Sequence, residues 1–373
     1  MKIPFSRQNF TGFEFENLKQ LINAEKLEGD GEFTIACQKE IEDYIGCKKS
    51  YLVHSGTAAL EMAALILNVN SNDEVILPSY TFVTTASAFA LRGAKLKFVD
   101  ICSKTLNLQV CQLKKAITEK TKVIVPVHYA GLSCNMDEIL SIADKCNAYV
   151  VEDAAQAYGS SYRGDRLGSL GDIGCFSFHG TKNISCGEGG AITINNLKLV
   201  KRAEVIREKG TDRSAFFRGE VDKYTWRALG SSYLPSELTA AFLLPQLKNC
   251  DQINEKRLYL WDRYYNNLKG TQYFKLPEIF EDRRHNGHIF YLVARHIEDR
   301  ENLRKILIQN GIVAASHYVP LHSSDMGQKF GLPLNDMRNT DEISNCILRL
   351  PLWPDMSVLE VDEICTIIKN SFK

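Results

Sequence analysis

What this chain lacks narrows its chemistry first. It has no excess charge of either sign, with 45 Lys and Arg against 45 Asp and Glu in 373 residues. With no basic run, it offers no electrostatic footprint for nucleic acid or for an anionic membrane. No apolar stretch approaches eighteen residues, and the opening Met1-Lys2-Ile3-Pro4-Phe5-Ser6-Arg7 lacks the apolar core of a signal peptide. The eleven cysteines include no Cys-x-x-Cys pair and no neighbouring histidine cluster. An odd, scattered set of this kind reads as buried thiols in a reducing compartment, with neither a disulfide framework nor a metal site. The expectation is a soluble, cytoplasmic protein whose partner is a small molecule or another copy of itself.

There is also no internal repeat and no low-complexity linker, although the length suggests more than one domain. From about residue 50 to 195, short β-branched runs alternate with amphipathic helical patterns, the rhythm of an α/β fold with a mostly parallel sheet covered on both faces. Strands are predicted at Tyr51–Val53, Glu74–Leu77, Lys95–Val99, Val123–Val127, Tyr149–Glu152, Cys175–Phe178 and Ala191–Ile194. Apolar residues three and four apart predict helices over Thr57–Leu67, Val83–Leu91 and Asp137–Lys145. One long helical stretch is expected from Ser236 to about Leu268. Beyond Leu276-Pro277 the pattern becomes that of a smaller α+β unit, with strands at Ile289–Val293 and Ile312–Ala315 and helices near Glu301–Asn310 and Val361–Phe372. The division expected is a large domain over 12–250 and a small one over 251–373, completed by an N-terminal arm over 1–11.

Against this background, one lysine carries the most information. Lys182 lies in Phe176-Ser177-Phe178-His179-Gly180-Thr181-Lys182-Asn183, trailed by Gly187-Glu188-Gly189-Gly190. About thirty residues upstream, the apolar run Val150-Val151 ends in Glu152-Asp153. An acid closing one buried strand and a lysine just past the next point to pyridoxal phosphate, whose aldehyde needs an amine and whose ring nitrogen needs an anion. Taken singly, Lys182 would pass for a solvated lysine and Asp153 for a helix N-cap before Ala154-Ala155. Gln156, three residues on, suits the ring hydroxyl. His54-Ser55-Gly56-Thr57 follows a strand and opens a helix, so its N–H groups and hydroxyls suit a phosphate at the positive end of the helix dipole. Ser177 is a further phosphate donor, and Phe82, at the end of Pro78-Ser79-Tyr80-Thr81-Phe82, is an aromatic able to lie over the cofactor ring.

Taken in order, these segments resemble the DegT/DnrJ/EryC1/StrS family of sugar-nucleotide aminotransferases. Further matching segments are Gly29-Asp30-Gly31, Pro126-Val127-His128-Tyr129-Ala130-Gly131 and His317-Tyr318-Val319-Pro320-Leu321-His322. The resemblance runs nearly end to end. It implies an aspartate-aminotransferase-like fold with a large domain built on a seven-stranded sheet. It also implies Lys182 as the Schiff-base lysine, Asp153 at the pyridine nitrogen, Gln156 near the ring oxygen, Phe82 stacked on the ring, and Gly56, Thr57 and Ser177 around the phosphate. Members are homodimers with shared active sites, in which an asparagine of a Gly-x-Asn-Tyr-Arg segment reaches the neighbour's phosphate. Here that segment reads Gly230-Ser231-Ser232-Tyr233-Leu234, with Ser232 in place of the asparagine.

Within the family, the stretch from Ile206 to Leu234 is most similar to members that make dTDP-4-amino-4,6-dideoxygalactose for surface polysaccharides such as common antigen or O-antigen. That likeness implies a dTDP-linked keto sugar and L-glutamate as substrates. Arg213, Arg218 and Lys223 suit the nucleotide diphosphate, and His317 and Tyr318 would face the sugar or nucleotide. The rivals are a sister aminotransferase giving the 4-epimeric or a 3-amino product, a dehydratase on the same scaffold, and a cofactor-binding regulator. Family dehydratases carry histidine in place of the lysine, and no DNA-binding domain precedes residue 50.

Overall fold

A computed structural model describes residues 2–333 and 336–372. The strands of the main sheet are β1 (Lys49–Val53), β2 (Glu74–Pro78), β3 (Lys95–Val99), β4 (Thr121–Ile124) and β5 (Tyr149–Asp153). After the short strands β6 (Ser161–Tyr162) and β7 (Asp165–Arg166), the sheet continues with β8 (Ile173–Ser177) and β9 (Gly190–Ile194). Further along come β10 (Phe274–Lys275), β11 (Arg283–Arg284), β12 (Phe290–Ala294), β13 (Gly331–Pro333) and β14 (Ile347–Leu350). The main sheet runs β1-β9-β8-β5-β4-β2-β3-β13, with β9 alone antiparallel to its neighbours. A second sheet, β10-β12-β14, is antiparallel, and β11, β6 and β7 form a third.

Alternation along the strands sorts the core into two layers, because successive side chains of a strand point to opposite faces. Leu52, Ile76, Ile124, Val150, Phe176 and Ala191 pack on one face, with the helices Glu32–Ile45 and Glu237–Lys248. Val53, Leu77, Val123, Val151, Cys175 and Ile192 pack on the other, against the helix Gly56–Ile66. A third core lies on the small sheet, where Phe290, Leu292, Leu348 and Leu350 meet Trp261, Tyr264, Ile364 and Ile368. Ile3 from the N-terminal arm joins it through a bridge to Ile312. Among the described residues no helix is long and apolar enough to cross a membrane, and every cysteine is a free thiol.

All seven strands predicted for the main sheet form, with shifted ends. The fourth ends at Ile124 rather than Val127, because Pro126 has no N–H to continue the ladder, and Val127 keeps one bridge to Asp153. An eighth strand, β13, was not expected: three residues from the C-terminal part pair with β3 at the sheet edge. The expected strand at Ile312–Ala315 is reduced to single bridges, Ile3 to Ile312 and Ala315 to Arg349.

The stretch from Ser236 to Leu268 is two helices, Glu237–Lys248 and Cys250–Leu268, broken at Asn249. Pro245 inside the first leaves the Ala241 carbonyl without its helical donor. The Asn17 side-chain amide donates to that carbonyl at 3.0 Å, so the helix survives the proline through a tertiary contact.

The Gly29-Asp30-Gly31 segment is structural. Asp30 forms a two-point pair with Arg207 at 3.0 and 2.6 Å, while Arg207 Nε donates to the Leu52 carbonyl at 3.0 Å. The buried Glu237 carboxylate accepts the N–H groups of Phe33 and Thr34, at 2.8 and 3.0 Å, and the Thr34 hydroxyl. It thereby caps the helix Glu32–Ile45 from another part of the chain. A Cβ on Gly31 would stand 2.6 Å from the Glu237 carboxyl carbon, which explains the glycine. Glu237→Ala strips three donors of their acceptor and is expected to cost about 3 kcal/mol. A urea unfolding curve checks this, and a midpoint equal to wild type would refute it.

Candidate active site

The carboxyl ends of β1, β2, β5 and β8 meet at one edge of the main sheet, where parallel strands collect ligand groups. A cavity of about 700 Å³ opens there. It is lined by Gly56 and Thr57 after β1, Phe82 after β2, Asp153 and Gln156 at the end of β5, Ser177 ending β8, Lys182 beyond it, and His317 and Tyr318. Nine residues singled out in the sequence thus converge on one space. A second cleft of about 740 Å³ lies around Arg163, Tyr259 and Asp282, but there Asp282 is already paired with Arg283 at 2.9 Å.

The two acids ending β5 face opposite ways. Glu152 is fully buried and accepts N–H bonds from Gly168, Leu170 and Gly171 at 2.7–2.8 Å, and His128 Nε2 lies 3.0 Å away. The Cys134 N–H donates to His128 Nδ1 at 3.2 Å, which leaves the ring proton on Nε2 toward Glu152. Glu152 is therefore satisfied within the fold. Asp153 reaches the cavity, with Oδ2 accepting from the Thr85 hydroxyl at 2.7 Å and Oδ1 from the Ala155 N–H at 3.2 Å. The residues after it make turns, so Asp153 caps no helix.

Lys182 sits on a loop pinned from several directions. Its N–H bonds the His179 carbonyl at 2.8 Å. The next residue, Asn183, donates to Asn254 Oδ1 at 2.8 Å and to the Asn286 carbonyl at 2.9 Å. His288 Nδ1 is 2.9 Å from Asn183 Oδ1, and burial, with the nearby Lys182 charge, holds this histidine neutral, as a donor. Desolvation in the cavity lowers the Lys182 pKa to about 8, partly opposed by the Asp153 carboxylate and reinforced by the Arg349 guanidinium.

At the opposite wall, the helix Gly56–Ile66 begins with Ser55 as N-cap, its side chain accepting the Ala58 N–H. The N–H groups of Gly56 and Thr57, in the first turn of the helix, have no helical partner, and both residues line the cavity together with Ser177. A Cβ at Gly56 would come within 2.8 Å of the Ser177 Cβ, so only glycine keeps this cradle open. An anion is what this wall suits. Gln156 accepts the Ala130 N–H at 2.7 Å and donates to the Tyr318 hydroxyl at 2.8 Å. Tyr318 holds a left-handed backbone, φ 48°, stacks on His317 with ring centroids 3.6 Å apart, and lies 6.2 Å from Phe82. Left-handed backbone is uncommon for a bulky side chain and marks strain beside the site. An amine, a carboxylate, an anion cradle and aromatic rings around one cavity are the donor set that pyridoxal phosphate requires.

Four predicted residues are not brought to the cavity of their own chain. Arg218 is spent on Glu204 and Glu220, at 2.9 and 2.7 Å. Arg213 lies 3.8 Å from Glu208 and over the Phe217 ring. Lys223 is exposed, and Ser232 is exposed with its backbone bridged to Glu208. Conversely, Arg257 and Arg349 line the cavity without having been singled out. Arg257 sits in a largely polar amphipathic helix and Arg349 in a short apolar strand, so no local signal marked them.

The family model for DegT/DnrJ/EryC1/StrS aminotransferases matches residues 9–369. The spore coat polysaccharide biosynthesis protein SpsC of Bacillus subtilis is 32% identical over 344 residues, 90% of this chain and 88% of that protein. A GDP-perosamine synthase of Caulobacter vibrioides is 30% identical over 370 residues, covering 97% and 96% of the two chains. Among solved structures, Spr1654 of Streptococcus pneumoniae, provisionally described as a sugar aminotransferase, superposes with TM-score 0.92 at 26% identity over 100% of this chain and 98% of its own. Its PLP and PMP forms superpose comparably.

With its amine near pKa 8, Lys182 is neutral in about a tenth of molecules at pH 7, against well under a thousandth for an ordinary lysine. Uptake of pyridoxal phosphate by cofactor-free protein is expected to speed up with pH and level off just above 8. Stopped-flow absorbance reads this directly, and a rate still climbing at pH 10 would contradict the lowered value.

Proposed function

We propose that this chain, which belongs to the DegT/DnrJ/EryC1/StrS aminotransferase family, moves an amino group from L-glutamate to a nucleotide-linked 4-keto-6-deoxy sugar. It is a pyridoxal-phosphate-dependent aminotransferase. The finer reading takes dTDP-4-keto-6-deoxy-D-glucose to dTDP-4-amino-4,6-dideoxy-D-galactose in surface-polysaccharide synthesis, in the cytoplasm. The observation that carries the reaction class is Lys182, an amine of lowered basicity set in one cavity with the Asp153 carboxylate and the helix N-terminus at Gly56.

When bound, the cofactor supplies an electron sink for cleaving a C–H bond and carries the amino group from one substrate to the other. The N–H groups of Gly56 and Thr57 and the Ser177 hydroxyl would hold its phosphate. Asp153, oriented by Thr85, would hold a protonated ring nitrogen, and Gln156 would reach the ring oxygen. Phe82 and Tyr318 would bound the ring faces. Lys182, once freed as a neutral amine, takes a proton from one carbon and returns it to another, a task suited to a base whose pKa lies near the working pH.

A homodimer is part of this reading. Phe217, Tyr224, Trp226 and Leu229 stand exposed in the stretch that leads to Ser232, large apolar side chains of the kind that partners cover. Ser232, Arg213, Arg218 and Lys223 would then serve the neighbour's site. So is the division into a cofactor-holding part over 12–250 and a smaller part over 251–373 with the arm 1–11, supported by the separate core on the small sheet. A second reading, a GDP-linked keto sugar, is favoured by the GDP-perosamine synthase relatives.

Visible spectra of the cofactor-loaded protein test the reading. The cofactor band is expected to fade with L-glutamate and return with dTDP-4-keto-6-deoxyglucose more readily than with a GDP-linked keto sugar. Return with the GDP sugar alone would replace the nucleotide assignment, and no response to any of them would remove the substrates. Asp153→Asn should retain cofactor and lose at least ~100-fold in turnover, since the charge it provides acts on the reacting ring; a near-wild-type rate would discard its role. Trp226→Asp should yield monomers of low activity in sedimentation, whereas an active monomer would rule out a shared site.

A further inference from the structure

Behind the Lys182 loop lies a junction of three asparagine amides that the reaction as described does not use. Asn183, Asn254 and Asn286 are buried, and none of them is among the residues lining the cavity. Asn183 spends both amide protons, on Asn254 Oδ1 at 2.8 Å and on the Asn286 carbonyl at 2.9 Å, while its Oδ1 accepts the His288 Nδ1 proton at 2.9 Å. Asn254 donates to the Tyr158 carbonyl at 3.2 Å and to Cys250 Sγ at 3.3 Å. Asn286 donates to the carbonyls of Gln156 and Tyr158, at 3.0 and 3.1 Å, and accepts the His288 N–H at 3.1 Å. Every polar atom of the three amides is thus partnered.

The surrounding chain leaves room for these groups and little else. A Cβ on Gly131 would collide with Asn286 Oδ1, and one on Gly159 with Asn254 Nδ2. Gly131 closes the Pro126–Gly131 segment of the family likeness, and its work is here, outside the cavity. Arg257, one turn beyond Asn254 on the helix Cys250–Leu268, donates to the carbonyls of Gly287 and His288 at 3.1 and 2.7 Å, and so holds the strip that carries Asn286. Buried amides are costly to leave unpaired, so each member of such a network fixes the place of the others.

The junction ties together the two sides of the site. Asn183 directly follows Lys182, whereas Gln156 and Tyr158 lie in the turns that follow Asp153. Asn254 and Asn286 reach both from beyond residue 250. The amine and the carboxylate serve opposite ends of one rigid ring, so their separation has to be held to a fraction of an ångström. Lys182 lines the cavity and its neighbour Asn183 does not, so the anchored amide acts only through the lysine.

We propose that Asn183, held by Asn254, Asn286 and His288, is a positioning residue that aims the Lys182 amine at the reacting carbon and keeps water from it. The inference rests on the aminotransferase reading above and names what aims its lysine. Alanine at 183 leaves Asn254 Oδ1 and the His288 Nδ1 proton without partners and frees the loop. The amine then samples several orientations, which slows the proton transfer it performs and leaves donor binding alone.

Cofactor-loaded wild type, Asn183→Ala and Asn254→Ala are compared with L-glutamate carrying hydrogen or deuterium at Cα. In Asn183→Ala the saturating rate of cofactor-band loss is expected to fall ~10- to 100-fold, with half-saturation by glutamate within about threefold of wild type. The deuterium isotope effect should be at least as large as in wild type, because the lost rate lies in proton transfer. Asn254→Ala removes one anchor of three and should move each quantity the same way by less; it decides the matter if Asn183→Ala does not fold. In cofactor-free protein, the pH at which pyridoxal phosphate uptake levels off should rise by about one unit in Asn183→Ala, since water reaches the amine. A lowered melting midpoint with rate, isotope effect and uptake profile as in wild type would make the junction a structural brace and overturn the proposal, as would a slower reaction with a smaller isotope effect. Wild type that ignores glutamate would sink the aminotransferase reading, and the uptake profile would still decide the positioning role.

Discussion

Successive residues of a strand face opposite ways, and the two acids that close β5 turn that rule into a division of labour. Glu152 points into the body of the sheet, where three backbone N–H groups and His128 hold it. Those bonds tie the end of β5 to the loop over Gly168–Gly171 and so set the register in which Asp153 faces the cavity. A shift of one residue would exchange the two carboxylates, burying an acid without donors and removing the anion from the site. The remaining walls are positioned by the same sheet, since β8 lies directly beside β5, β2 beyond β4, and β1 beyond β9 on the other side of β8.

The cavity balances few anions against several cations. Asp153 opposes Lys182 and Glu188 lies 3.5 Å from His179 at the wall, while Arg257 and Arg349 add positive charge with which neither acid forms an ion pair. Burial is the first cause that brings Lys182 down to about 8 and keeps His288 and His317 neutral, and the neighbouring positive charges act in the same direction. A site of this character holds its amine ready to react and favours ligands that bring phosphate and carboxylate groups. The neutrality of the whole chain hides this, because the excess is local.

The motifs differ in how much they revealed. Ser55-Gly56-Thr57, Glu152-Asp153 and the Lys182 segment were legible because strand periodicity locates each at a strand's carboxyl end, and parallel strands bring those ends together. Gly29-Asp30-Gly31 matched the family pattern as strongly, yet its work is to pack against Glu237 and pair with Arg207. Sequence likeness alone does not separate a residue that touches ligand from one that holds a helix. Arg213, Arg218 and Lys223 illustrate the same point on the surface, where within one chain acids at Glu204, Glu208 and Glu220 occupy the two arginines.

Local order along the chain by itself determined the alternation of strands and helices, the edge at which a ligand site forms, and the lysine and carboxylate within it, because periodicity and strand ends are short-range properties. Only the tertiary structure decided how Glu152 is held inside the fold, that β13 adds an eighth strand, that Asn17 repairs the helix at Pro245, and that Arg349 lines the cavity with its Nε unpartnered among the described residues. Each of these depends on groups far apart in sequence meeting in space. A contact of that kind leaves no pattern in the residues on either side of it.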